Sequence, residues 1–348
     1  MEFAQQIIAW YAINKRDLPW RETTDAYTIW LSEIIMQQTR VEQGTPYFHQ
    51  FAENYPTVAD FAAASEDEIL NLWQGLGYYS RGRNMHHTAK MVMEDHAGYF
   101  PSKYDELLKL KGIGEYTAAA ISSFSANEAK AVVDGNVFRL LSRYFGIDTA
   151  INSPAGKKIF TLLANDVMDK SQAGTYNQAA MEFGALQCKP VKPLCYTCPL
   201  QSTCAAYASN SVQVLPVKIK AKKVRDRYFN FLVAIKDGAV LMQRREAKDI
   251  WLNLYQLPLI ETDNPVKPDS LLEELSLLEL FGVEAKIVNV SEPVKHLLSH
   301  QRLHAQFIEL NDFELSDSAD GAYFYADKAD LKTLAQPKLI FEFLNKFF

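Results

Sequence analysis

An all-α N-terminal domain joined to a smaller α+β domain is the fold class this sequence predicts, and three observations predict it. Apolar residues recur at helical spacing through roughly the first 200 residues. The texture then changes between Phe229 and Gln243, where FNFLVAIKDGAVLMQ reads as two β-rich runs around Asp237-Gly238, a hairpin signal. Finally, the four cysteines of the 348-residue chain, Cys188, Cys195, Cys198 and Cys204, fall within seventeen positions. Thiols gathered that closely indicate a single site and constrain the loop that carries them.

The elements follow in order. Tyr27, Trp30, Leu31, Ile34 and Ile35 mark the buried stripe of one helix. The segment Lys109-Leu110-Lys111-Gly112-Ile113-Gly114-Glu115-Tyr116-Thr117 joins two helical runs through a tight turn with two glycines. Glycines there let successive N–H groups approach a ligand, and the positive end of the second helix begins beside them. The turn therefore suits a phosphate read through the backbone. Asp134 opens the next helix as its N-cap, with Val137, Leu140, Leu141 and Tyr144 on the buried face. An Ala/Leu/Met-rich helix covers Tyr176–Leu186, and further strands are predicted at Lys286–Val290 and Ala305–Leu310. Serine, asparagine, Pro216 and lysines break both periodicities between the domains, so the expected boundaries are 1–207, a basic linker over 208–225, and 226–348.

Charge is unevenly spread. Residues 1–225 hold 23 Lys and Arg against 22 Asp and Glu, whereas 226–348 hold 13 against 20. The net −6 therefore comes from the C-terminal part. From Phe183 to Arg225 there is no acidic residue, while Lys189, Lys192, Lys218, Lys220, Lys222, Lys223 and Arg225 make a local basic stretch able to neutralise phosphates. No run of eighteen apolar residues predicts a membrane span. The first twenty residues carry Glu2, Lys15, Arg16 and Asp17 and lack a signal-peptide core, so a cytoplasmic, nucleoid-associated location is expected.

For the cysteines, three readings compete: disulfides, zinc and an iron–sulfur cluster. A reducing compartment weighs against disulfides. One CxxC pair, Cys195 and Cys198, flanked by gaps of six and five residues, differs from the two short pairs common at zinc sites. Glu33 is the only side chain charged at neutral pH between Asp25 and Arg40, with Ile29 and Met36 on the same side of its helix. A carboxylate so placed is desolvated, which raises its pKa toward the range of a general acid.

LKGIGEYTA, the segment VVDGNVFRL that follows it, and the cysteine spacing together resemble the helix-hairpin-helix DNA glycosylases of the endonuclease III superfamily over residues 1–210. RDLPWR, LSEIIMQQTRV and GLGYYSRGRN look like the MutY family of adenine glycosylases, and the strand-rich C-terminal domain is similar to that family's Nudix-like extension. The resemblance implies a helix-hairpin-helix glycosylase domain with a [4Fe–4S] cluster on Cys188, Cys195, Cys198 and Cys204. It implies a monomer acting on double-stranded DNA that carries adenine opposite 8-oxoguanine or guanine. It assigns Glu33 to protonating the departing base and activating water, and Asp134 to stabilising the deoxyribosyl cation. Asn136 would orient a carboxylate or water. Tyr116 stands where the strand-cleaving branch has its Schiff-base lysine, and a phenol forms no imine, so base excision alone is expected. Gln38 and Tyr78 match positions that fill the stack left by an extruded base, and Trp20, Arg21 and Glu182 match positions lining the adenine pocket. Gly112 and Gly114 hold the hairpin, and Leu298, Ser299 and His300 match the loop that reads the oxidised guanine.

The sequence departs from the pattern in three places. Phe138 stands where many relatives have a basic residue, which weakens any trapping of an abasic product. Leu298 replaces the phenylalanine of the Phe-Ser-His loop, keeping apolar bulk without the flat ring. LLEELSLLELFGVEA supplies Glu273, Glu274 and Glu279 but not the Nudix arrangement that holds magnesium, so a binding role is expected for this domain. Two other readings stay open from the residues: thymine or uracil removal on the same scaffold, and a non-catalytic lesion sensor.

Overall fold

The computed structural model describes residues 2–220, 224–246, 248–273, 275–316 and 321–347. They divide into two units, Met1–Ala64 with Arg83–Lys220, and Ser65–Gly82 with Ala221–Phe348. In chain order the helices before the strands are α1 (Glu2–Asn14), α2 (Ala26–Met36), α3 (Val41–Asn54), α4 (Val58–Ala63), α5 (Glu66–Leu72), α6 (Ser80–Asp95), α7 (Tyr104–Leu107), α8 (Glu115–Ala126), α9 (Gly135–Phe145), α10 (Pro154–Val167), α11 (Ala173–Leu186) and α12 (Ala205–Ala208). Of these, α5 and the first residues of α6 group with the second unit.

Several helices in the first unit begin where a side chain takes their free amides. Asp25 accepts from the Thr28 N–H at the start of α2, Thr57 and Asp60 form a capping box on α4, and Ser153 caps α10 ahead of Pro154. Two helices stop on left-handed residues, α8 at Asn127 with φ 52° and α9 at Gly146 with φ 68°. The predicted stripe of α2 is buried throughout, as are Val137, Leu140 and Leu141 of α9. Helix α11 contacts α1, α8 and α9, and its Tyr176, Ala179, Ala180 and Phe183 belong to the main core. Each large apolar side chain sealed there contributes about 1.5–3 kcal/mol.

Part of the basic linker is docked. The Ile151 N–H donates to the Val217 carbonyl at 3.0 Å, and the Asn152 side chain both donates to and accepts from Ile219 at 2.9 and 2.8 Å. The first unit accordingly extends to Lys220. Lys222 and Lys223 lie outside the described residues.

The second unit contains β1 (Arg225–Lys236), β2 (Ala239–Arg244), β3 (Tyr255–Gln256), β4 (Leu259–Thr262), β5 (Lys286–Val290), β6 (Val294–Leu297), β7 (Gln301–Asn311) and β8 (Tyr323–Ala326). The sheet runs β3-β2-β1-β7-β5, with β4 on β1, β6 on β7 and β8 on β2. The long β1–β7 pair is parallel, and the remaining pairs are antiparallel. Asp237 and Gly238 both take positive φ, 51° and 79°, which matches a two-residue hairpin turn to the strand twist. Helices α13 (Pro268–Leu271), α14 (Leu275–Phe281), α15 (Asp330–Thr333) and α16 (Lys338–Phe347) complete it. Its core joins Leu232, Leu241, Ile308 and Leu310 from the strands to Phe281 of α14. Glu273 and Glu279 are exposed, and Glu274 lies outside the described residues. Among the described residues no helix is long and apolar enough to cross a membrane.

Candidate active site and cysteine cavity

Glu33 sits on the third turn of α2, buried among apolar neighbours, and accepts a hydrogen bond from the Tyr116 hydroxyl at 2.8 Å. Burial lifts its carboxyl to about 7. The Tyr116 bond opposes that lift, the Asp134 charge adds to it, and the Arg21 charge opposes it. An acid tuned to half-protonation near neutrality can give and recover a proton. Tyr116 comes from the first turn of α8, and burial, followed by the charges of Glu33 and Asp134, raises its phenol pKa well above the usual range.

Asp134 is the N-cap of α9. One carboxylate oxygen accepts from the Asn136 and Val137 amides at 2.9 and 2.7 Å, and the other accepts from the Asn136 side chain at 2.7 Å. Burial raises its pKa, against the pull of these bonds and of Arg139. Asp134 thus caps α9 while its charge acts on Glu33. Gly184 allows α11 to approach here, since a Cβ would meet the Asn136 side chain and carbonyl at 2.7 Å. Phe138 packs edge-on against Phe160, with ring centroids 5.4 Å apart.

Arg21 and Glu182 come together, but chiefly with each other. Both Glu182 oxygens are engaged by Arg16 (2.9 and 2.7 Å) and Arg21 (3.1 and 2.8 Å), and the Arg16 amide adds a fifth hydrogen bond at 2.9 Å. Burial works to raise the Glu182 pKa, and the arginine hydrogen bonds overcome it and hold the carboxyl down at about 2. Arg16, not among the residues expected at the site, joins this ion pair, and no local feature of the sequence signals its distant partner. Trp20 stacks edge-on to Phe48, with centroids 5.1 Å apart.

The hairpin forms as expected. Gly112 takes φ 76°, a Cβ there would come within 2.8 Å of Asn84, and Gly114 caps α8 with open space at its α-carbon. Gln38, just past α2, is exposed and left-handed at φ 56°; Tyr78, in the second unit, is exposed and left-handed at φ 47°. Such backbone persists where surroundings enforce it and is common at ligand-binding positions. Leu298, Ser299 and His300 form the turn between β6 and β7, closed by the Leu298 N–H on the Gln301 carbonyl at 2.9 Å, with Ser299 and His300 exposed. The hydroxyls of Tyr78 and Ser299 hydrogen-bond to each other.

All four cysteines are free thiols lining one cavity, together with Arg143, Gln187, Leu194 and Tyr207. Burial, followed by the charges of the other cysteines, pushes the Cys195 thiol up, and burial lifts Cys198 to about 11. Among the described residues no three His, Cys, Asp or Glu side chains converge as ligands to a single ion. Arg143, buried on α9, donates to the Cys188 Sγ at 3.5 Å and to the carbonyls of Lys189, Pro190 and Leu215. Arg139, one turn earlier, bonds the Cys188 carbonyl at 2.8 Å and the Asn136 side-chain oxygen at 2.9 Å.

Comparison with known proteins fits this geometry. Residues 31–164 match the HhH-GPD superfamily of base excision DNA repair proteins, and residues 230–346 match the NUDIX domain. An adenine DNA glycosylase of Buchnera aphidicola subsp. Baizongia pistaciae is 34% identical over 305 residues, covering 87% of this chain and 84% of its own. The adenine DNA glycosylase of Homo sapiens is 41% identical over 213 residues, covering 59% of this chain and 39% of its own. A thermostable thymine-DNA glycosylase structure aligns with TM-score 0.56 and 28% identity over 60% of this chain and 96% of that one. A helix-hairpin-helix repair domain followed by a NUDIX domain, with similarity along most of its length, places the chain in the adenine DNA glycosylase family.

Proposed function

We propose that the protein excises adenine from A:8-oxoguanine and A:G mispairs in duplex DNA without cutting the strand. The observation that carries this reading is Glu33, a buried carboxyl lifted to about 7 and held by Tyr116 beside the charge of Asp134. Glu33 gives its proton to a ring nitrogen of the extruded adenine. The N-glycosidic electron pair leaves with the base. Asp134, whose carboxylate accepts from two amides and the Asn136 side chain, stabilises the sugar cation. Water then adds to the anomeric carbon and its proton returns to Glu33, which restores the acid. With Tyr116 in place of an amine, no Schiff base forms and the strand stays intact.

Phosphates are met by the Gly112–Gly114 turn and the lysines flanking the cysteines, and base extrusion costs roughly a few kcal/mol that contacts from Gln38 and Tyr78 offset. Trp20 lines the adenine pocket, while Arg21 and Glu182 hold its wall as an ion pair. Ser299 and His300 read the oxidised purine and Leu298 packs beside it. Cys188, Cys195, Cys198 and Cys204 hold a [4Fe–4S] cluster: an all-thiol donor set lining one cavity suits iron–sulfur ligation. Bound there, the cluster supplies a cross-link that shapes the basic loop. The protein acts as a monomer.

The test is release of free base from duplexes carrying A opposite 8-oxoguanine, A opposite G, T opposite G and U opposite G. Release from the first two, with intact strands, is expected. Release from the T or U duplexes alone would assign a different glycosylase, and binding without release would assign a sensor.

A further inference from the structure

Tyr78 and Ser299 lie 221 residues apart in the chain yet share a hydrogen bond. Segment Ser65–Gly82 folds with the C-terminal strands, so the surface carrying both is built from two separate stretches of chain. Tyr78 is not at ease there. It follows two left-handed glycines, Gly75 at φ 96° and Gly77 at φ 73°, and is itself left-handed at φ 47°. A half-exposed tyrosine does not hold that backbone alone; something must fix both sides of it.

Hydrogen bonds and a cation–π contact hold the residues that flank it. Asp67 on α5 accepts from the Tyr255 hydroxyl at 3.0 Å and from Arg244 at 3.3 Å, while Glu66 accepts from the Asn253 amide at 2.5 Å. Asn71 donates to the Lys332 carbonyl at 3.0 Å. Closer to the turn, the Gln336 N–H donates to the Gln74 side chain at 3.1 Å, and the Tyr79 hydroxyl donates to the Gln336 carbonyl at 3.0 Å. Gln336 is 1% exposed, so these are sheltered bonds next to Tyr78 in sequence. From the other side, Arg81 lies 5.6 Å from the Tyr78 ring centroid and donates to the Gly77 carbonyl at 3.2 Å.

We propose that Asp67, Tyr79 and their partners Tyr255, Arg244 and Gln336 form a clasp that seats Tyr78 against Ser299, making them positioning residues for discrimination between 8-oxoguanine and guanine. This rests on the lesion-reading role given above to Ser299, against which Tyr78 is seated. The clasp residues all belong to the second unit, with Ser299, so their effect is read as the preference between mispairs.

The test uses full-length protein and single-turnover adenine release from duplexes with A opposite 8-oxoguanine and A opposite G. Tyr79→Phe with Asp67→Ala should lower the ratio of the two rates by about three- to tenfold and cause no further loss of that ratio in a Tyr78→Phe background. Tyr255→Phe, which removes only the hydroxyl on Asp67, should move the ratio in the same direction and serves where the double variant melts early. An unmoved ratio in both clasp variants, with Ser299→Ala lowering it, overturns the clasp alone. An unmoved ratio in Tyr78→Phe and Ser299→Ala overturns the lesion-reading role and the clasp with it. Equal further losses in the presence and absence of the Tyr78 hydroxyl would also overturn the proposal.

Discussion

Lifting Glu33 from 4.5 to about 7 corresponds to roughly 3 kcal/mol by which the protein favours its protonated form. Because the folded pKa lies above the unfolded one, this contribution to stability is complete below about pH 4.5 and is lost as pH rises through about 7. Activity that needs the protonated acid should decline over the same upper range. The Tyr116 hydrogen bond lowers the Glu33 pKa, so Tyr116→Phe should move the alkaline limb of the pH–rate profile to higher pH. A limb that stays put or moves down in single-turnover profiles would show that Tyr116 does not set this acid. Glu33 was legible in the sequence because no other charge stands between Asp25 and Arg40. Arg16 was not, since nothing local reveals that its partner, Glu182, lies 166 residues away. Glu182 behaves oppositely to Glu33. Its depressed pKa contributes stability present above about pH 4.5 and lost as pH falls toward about 2.

Caps and turns were the elements most readable beforehand. Asp134 at the mouth of α9 and the glycine turn before α8 stand where local chemistry put them. Replacing Asp134 by Asn should cost at most about 1–2 kcal/mol, since an amide also caps, while excision falls sharply; thermal melting alongside single-turnover rates separates the two losses. Gly112→Ala forces a Cβ into left-handed backbone and against Asn84, costing about 1–3 kcal/mol. It should weaken duplex binding at matched salt, and unchanged affinity would remove the turn from the DNA interface. The arginines of α9 were harder to foresee. Nothing in NVFRLLSRYF marks them as buried, yet Arg139 and Arg143 are 8% and 3% exposed because backbone carbonyls accept from them. Backbone carbonyls belong to every residue and leave no mark in a sequence.

At the scale of the molecule, the change from helical to alternating texture near Phe229 correctly announced a second fold, but not that Ser65–Gly82 would join it. Capping-box residues Ser65 and Glu68 predict only that a helix starts there; which sheet it packs on is decided by distant groups such as Tyr255 and Gln336. Cutting the chain at 226 would strip that segment of its partners, so Ser299→Ala with His300→Ala is the cleaner probe. It should reduce the 8-oxoguanine preference by roughly 1–3 kcal/mol per lost base-edge contact while excision opposite guanine persists. The cysteine cavity gives a second whole-molecule expectation: aerobically purified protein should contain about four irons per chain, and Cys198→Ser should lose iron and duplex affinity together. One zinc and no iron, or full affinity in a metal-free Cys198→Ser protein, would refute it. The central claim, that Glu33 is the acid that expels adenine, is tested most directly by single-turnover release of adenine from an A:8-oxoguanine duplex by wild type and Glu33→Gln, with duplex binding measured on the same samples. Wild type should release adenine and leave the strand uncut, while Glu33→Gln should bind and release none; normal release by Glu33→Gln would contradict the account.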